Sequence, residues 1–186
     1  MNRFEYLSVL ISIIVGVGLS ETISCWAHLL RQRGAVRFYW VHSGWTLLTL
    51  LMLVQFWWGF WQFSDVQDWS FRGLLAVVAL GVAMVMAMLV ITPPRERDVL
   101  RRLDDFYWAQ APLYFFLGGF VLLLLILVDW LVGEQPLVHP ENAVRVPAAL
   151  LLFFLARSRA RSLHAAVLVA SYGLFAVFVA VVYVRT

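Results

Sequence analysis

Lysine is absent from this chain of 186 residues, and all fourteen of its basic residues are arginines. Charged residues of both signs reach only 13% against 63% hydrophobic residues, roughly half the ~25% charge of an average soluble domain, which excludes that class. A single cysteine, Cys25, excludes an intramolecular disulfide framework. The usual catalytic signatures are missing as well. No H-E-x-x-H, paired C-x-x-C, nucleophile elbow, phosphate-binding glycine loop or paired-carboxylate motif occurs. Serine, histidine and aspartate are present without such a frame, and the short connections leave little room to hold a soluble substrate. The expectation is a protein that is not an enzyme.

What the chain does have is apolar length. Aromatics make up 16% of residues and the mean hydropathy is +0.85. Six apolar stretches can be read, at about Phe4 to Leu30, Phe38 to Trp61, Phe71 to Thr92, Tyr107 to Val132, Ala143 to Ala156 and His164 to Val184. All but the fifth reach the ~20 residues that cross ~30 Å of hydrocarbon. The fifth carries Arg145 and Pro147 and borrows length from Asn142 and Arg157. The first run has Glu5 beside a lone Arg3 and no small-residue cleavage site after it, so it reads as a helix and not as a signal peptide. The expected architecture is an all-α, polytopic transmembrane bundle of about six spans forming one integral domain over residues 1–186.

The arginines orient this bundle. Arg31, Arg33 and Arg37 lie in the first connection, Arg95, Arg97, Arg101 and Arg102 in the third, and Arg157, Arg159 and Arg161 in the fifth. Only Arg3, Arg72, Arg145 and Arg185 fall on the other side. The positive-inside rule then puts the Arg-rich connections in the cytoplasm and both termini outside. The net charge of +3 fits attraction to anionic lipid headgroups better than nucleic-acid binding. Tyr39, Trp40, Tyr107 and Trp108 would form an inner aromatic belt, and Tyr6, Trp57, Trp58, Trp61, Trp69, Trp130 and Tyr183 an outer one.

In the third connection, Pro93 and Pro94 end a helix, and Val99, Leu100, Leu103 and Phe106 recur at helical spacing among Arg97, Asp98, Arg101, Arg102 and Asp105. This predicts a surface helix over about 95–106, supported by Asp98 with Arg102 and Arg101 with Asp105. Small residues four apart, at Gly16 and Ser20, Ala79, Ala83 and Ala87, and Ala166 and Ala170, predict close helix packing within the bundle, and Gly118 with Gly119 a bend or tight contact in the fourth span. Three spans on either side of the third connection would relate the halves by inversion, as in several transporter folds, although no residue-level similarity joins them.

Polar chemistry gathers at the Arg-rich end of the first two helices. Glu21 is an acidic residue inside the first span, where a charge costs about 2.5 to 3.5 kcal/mol in lipid and so faces protein, water or a partner. Glu21, Cys25, His28 and Gln32 follow at helical spacing on one face. His28 and His42 lie equally far from Arg33 and Arg37, at similar depth on neighbouring helices, and His164 starts the last helix near the same level. Three readings stay open. The first is a proton or ion path with Glu21 as titratable centre, connected to the cytoplasm through His28, His42 and Tyr39. The second is a metal site from Cys25, His28, His42 and His164, or a b-type haem held by His28 and His42. The third is plain helix packing, with Glu21 bonded to His42, Tyr39 or Thr46. At ~10.5 Å of rise from His28, Glu21 would not share one ion with it.

Towards the other end, Gln55, Trp58 and Gln62 share a face of the second helix and could line an outer-leaflet pocket or form an aromatic belt. Asp129 and Arg145 could pair and so excuse both charges.

The opening F-E-Y-L-S-V-L-I-S-I-I-V-G-V-G-L-S, the segment R-F-Y-W-V-H, the run Q-F-W-W and the segment R-S-R-A-R-S-L-H resemble those of a group of small bacterial six-span inner-membrane proteins with no known activity. The resemblance implies a bacterial inner-membrane location and the same topology. It assigns no site residue, though Glu21, His42 and Gln55 fall within or beside the matching segments. The functional expectation is translocation of protons, ions or a small molecule by a homo-oligomer. The alternative is a non-catalytic accessory or scaffold subunit of a larger membrane complex.

Overall fold

The computed structural model describes residues 3–32, 34, 36–66, 68–94 and 102–183, with side chains described to residue 180. The regular elements of the described chain are helices. α1 spans Arg3–Arg31, α2 Trp40–Gly59 with a 3-10 turn over Phe60–Phe63, α3 Phe71–Ile91, α4 Leu103–Leu131, α5 Asn142–Arg157 and α6 Arg161–Tyr183. Among the described residues, an isolated bridge between extended residues joins Arg37 to Arg102. Five helices, α1, α2 with its 3-10 turn, α3, α4 and α6, are long and apolar enough to cross a membrane. α5 has 16 residues, about 24 Å at 1.5 Å per residue, short of the ~30 Å of hydrocarbon.

α3 and α4 form the centre of the bundle. α4 lies along α3 on one side and along α5 on the other, α1 and α2 pack on α3, and α6 packs on α2. α3 takes this place because small residues (Gly73, Ala76, Gly81, Ala83 and Ala87) alternate with Val77, Leu80, Met84, Met88 and Ile91, and all are buried. Ser70 caps its start by accepting the Gly73 N–H at 3.1 Å. α1 instead buries one stripe, Phe4, Leu7, Ile11, Val15, Gly18, Thr22 and Cys25, at spacings of three or four. Its other face exposes Tyr6, Val9, Ile13, Val17 and Ile23, large apolar side chains that suit lipid.

The small-residue patterns divide. Gly119 packs as expected: a Cβ there would lie 2.6 Å from the Phe153 ring of α5. Ala83 and Ala87 are buried. Gly16, Ser20, Ala79, Ala166 and Ala170 are exposed instead. On α1 the larger stripe wins the core, because Leu7, Ile11 and Val15 offer more area for packing than Gly16 and Ser20 do. The glycine that meets neighbours there is Gly18, against Leu53 and Val85.

Arg145 of α5 donates to Asp129 of α4 and to Glu141 at 2.5 Å, so the expected ion pair forms and ties the two helices at one end. At the other end, Arg159 donates to the Trp108 carbonyl. α5 and the extended residues after it therefore follow α4 over most of its length. α6 is held at Gly44 of α2. Leu168 sits where a Cβ would come within 2.5 Å, and Tyr172 donates to the Gly44 carbonyl at 2.9 Å.

The aromatic belts need revision. Trp40, Trp57, Trp58, Trp61, Trp130 and Tyr6 are exposed, whereas Tyr107 and Trp69 are buried. Trp69 packs with Phe60 and Phe63. The Tyr183 side chain lies outside the described residues. Of the expected surface helix, residues 95–101 also lie outside them, and Leu103 to Phe106 form the first turn of α4 itself. Arg102 pairs there with Asp105 at 2.6 Å.

Candidate functional site

The site is built around the end of α3. Pro93 and Pro94 stand four residues after Leu89 and Val90. Because proline has no N–H, these two carbonyls lack their helical donors. The Thr92 N–H is shared between Met88 O at 3.1 Å and Leu89 O at 3.3 Å. Side chains from two neighbours supply further donors. His42 Nε2 of α2 lies 2.9 Å from the Ile91 carbonyl, and Cys25 Sγ of α1 donates to the Pro93 carbonyl at 3.3 Å. Thr22 and Thr92 approach to 3.2 Å between hydroxyl oxygens, and each is also bonded to its own helix, at Gly18 O and Met88 O. His42 and Cys25, both buried, therefore hold α2 and α1 to the terminus of α3, and Thr22 adds a link to Thr92 only when one of the two hydroxyls turns its single hydrogen from its own helix to the other.

A carbonyl only accepts, so the bond to Ile91 fixes the hydrogen of neutral His42 on Nε2. Its Nδ1 is buried without a hydrogen-bond partner among the described residues. The ring lies edge-on to Phe106 and Tyr107, with centroids 5.8 and 6.5 Å away.

On the α1 side, a groove of about 450 Å³ opens where α1, α3 and α4 meet, lined by Glu21, Cys25, Leu89, Val90, Thr92, Pro93, Pro94, Phe106 and Gln110. Its volume is within the ~300–1,000 Å³ of small-molecule sites. Glu21 and Cys25 come together here, as their spacing on one face requires. His28 is turned to Gln32, with Nε2 and Nε2 3.0 Å apart. His28 and His42 thus spend their Nε2 atoms on Gln32 and on Ile91 O, and not on each other.

His164 belongs to a second buried group. Its Nε2 lies 3.2 Å from the Ser158 carbonyl and its Nδ1 2.7 Å from the Tyr107 hydroxyl. Since Nε2 must donate to the carbonyl, neutral His164 accepts from Tyr107 at Nδ1. Tyr39 packs edge-on against Tyr107 at 5.5 Å, and Trp108 lies 4.8 Å from His164. One helical stretch further in, Thr49 and Tyr114 share a bond of 2.7 Å.

Cys25, His28, His42 and His164 are thus engaged separately. Among the described residues no three His, Cys, Asp or Glu side chains are grouped to hold a metal ion. For a haem, His42 would have to give up the Ile91 carbonyl. On α2 Gln55 is half-buried and Trp58 exposed, and Gln62 is exposed in the 3-10 turn that follows.

Thr22, Thr92, Phe106 and Gln110 escape a reading based on charges and histidines. The pair Pro93–Pro94 is the sequence signal that could have found them, since it announces carbonyls in need of donors. The chain matches no protein-family model, no curated protein and no solved structure.

Proposed function

We propose that this chain is a multi-pass protein of a bacterial inner membrane, with its Arg-rich connections in the cytoplasm, that serves as a non-catalytic accessory subunit. The observation that carries this reading is the apolar seal beyond the groove. From Val15 through Ile11 and Leu7 on α1, the core continues as Leu53, Val77, Leu80, Leu124 and Val128, all buried and all hydrocarbon. Among the described residues, polar groups that begin at Glu21 and Thr22 are not continued through this layer, so these residues of a single copy offer no polar route across it. Crossing such a layer would cost an ion far more than the modest gain offered by one carboxylate.

The second reading is translocation between copies of the chain, and one feature favours it. Ser12, Gly16, Ser20 and Glu21 lie exposed along α1, and Ser8, a half-buried residue, continues the line. A pore between copies needs a polar wall of that kind.

Purified protein in sealed vesicles separates the two. With a proton or potassium gradient imposed, the accessory reading expects leakage equal to that of protein-free vesicles, and an unchanged rate for Glu21→Gln. A gradient that collapses with wild type and persists with Glu21→Gln would replace it by translocation with Glu21 as the titratable centre.

A further inference from the structure

We infer that the turn between α5 and α6 is a binding site for an anionic phospholipid, whose phosphate is held by Arg157, Arg159, Arg161 and the start of α6. The inference rests on the chain spanning a membrane, and it holds whether the protein is an accessory subunit or a transporter.

The depth of this turn follows from α4. Arg159 donates to the Trp108 carbonyl and Arg145 to the Asp129 carboxylate, so α5 is fastened to α4 at Trp108 and at Asp129. Between these two residues α4 rises about 31 Å at 1.5 Å per residue, which matches the ~30 Å of hydrocarbon. The turn therefore lies at the edge of the hydrocarbon layer, where the phosphates of the lipids begin.

The chemistry of the turn suits such a phosphate. Arg157, Arg159 and Arg161 are all exposed. The ion pairs among the described residues join Arg102 to Asp105 and Arg145 to Asp129 and Glu141, and engage none of these three. One carboxylate does share this end of the bundle, since Asp104 and Arg161 both act electrostatically on the Tyr39 hydroxyl. Three guanidinium groups outnumber it. The start of α6 adds backbone donors: its first helical bond runs from the His164 N–H to the Ala160 carbonyl at 3.2 Å, so the N–H groups of Arg161, Ser162 and Leu163 have no helical acceptor. The backbone of the turn is also fixed in advance. His164 Nε2 donates to the Ser158 carbonyl, and the Ser158 hydroxyl accepts the Ala160 N–H, each at 3.2 Å.

A soluble anion would use these donors and nothing more. Inward from the turn, however, Leu151 and Phe154 on α5 and Val169 on α6 are exposed apolar side chains, on two helices that pack on different partners, α4 and α2. The complementary guest has a phosphate at one end and a hydrocarbon chain below it. Arginine favours the phosphate through paired N–H donors, and a headgroup with net negative charge is preferred because a zwitterionic one brings its own cation to the arginines.

The test is native mass spectrometry of the full-length protein in a neutral detergent, titrated with phosphatidylglycerol and, separately, with phosphatidylcholine of the same acyl chains. The first phosphatidylglycerol should bind at least tenfold more tightly than the first phosphatidylcholine. A basic group beside an anionic lipid is worth about a fivefold change in affinity, so Arg157→Gln combined with Arg161→Gln should remove most of that preference. Taking the same charge from α1 and the connection after it, by Arg31→Gln combined with Arg37→Gln, should change the preference less than twofold. Should the turn variant fail to fold, Ser162→Asp gives a second comparison. An acidic residue in the first turn of α6 favours the helix, yet its carboxylate repels a phosphate and should cost at least threefold in phosphatidylglycerol affinity. Equal affinity for the two lipids, an equal loss in the Arg31 and Arg37 variant, a folded variant of the turn with wild-type preference, or displacement of phosphatidylglycerol by equimolar glycerol phosphate would overturn the inference.

Discussion

His42 offers a direct measure of what a helix cap is worth inside this bundle. It is 1% exposed and its Nε2 is 2.9 Å from the Ile91 carbonyl. His42→Phe keeps a ring of similar size in place and removes the donor. The cost is then mainly that of a buried carbonyl left unpaired, about 1–3 kcal/mol. For a domain of this length each kcal/mol lowers the melting temperature by about 2–4 °C, so a central cost of about 2 kcal/mol corresponds to a drop of roughly 4–8 °C. His42→Gln, which returns an N–H at similar reach, should recover at least half of it. The nine tryptophans make intrinsic fluorescence during heating in mild detergent a suitable readout. A His42→Phe protein melting within about 1 °C of wild type, on the same scale, would refute the capping argument and free His42 for a role in proton transfer or ligation.

Two more substitutions test the packing of the same end and of the bundle centre. Tyr107→Phe leaves His164 Nδ1 without its donor at a buried position and should destabilise by about 1–3 kcal/mol. In a double-mutant cycle with His164→Phe the two losses should fall well short of adding, because they remove one interaction. Gly119→Ala would place a Cβ 2.6 Å from the Phe153 ring, and the overpacking should cost about 1–3 kcal/mol. Phe153→Leu should relieve most of that cost, and thermal unfolding of the two proteins checks it.

Much of the architecture was legible in the order of residues because membrane insertion is a local matter. Twenty apolar residues in succession must form a helix in lipid, whatever their neighbours do, since no water is there to satisfy the backbone. Five long apolar helices and the short α5 follow from this. Asp129 and Arg145 were also readable, because two charges near the ends of adjacent spans have few other ways to be satisfied. The candidate site was legible only in part. Glu21 and Cys25 share a groove as their helical spacing requires, but His28 and His42 do not act as a pair.

By itself, then, the sequence determined the helical class, the number of apolar segments and the clustering of arginine in alternate connections. Which face of each helix turns inward was decided by tertiary packing. On α1 the stripe from Phe4 to Cys25 is buried, while Gly16 and Ser20 stay exposed, because larger apolar side chains gain more contact in a close-packed core. The partners of His42, Cys25 and His164 were likewise a tertiary outcome. Each bonds a group 49 to 68 residues away in the chain, and no local pattern states where a distant carbonyl or hydroxyl will lie.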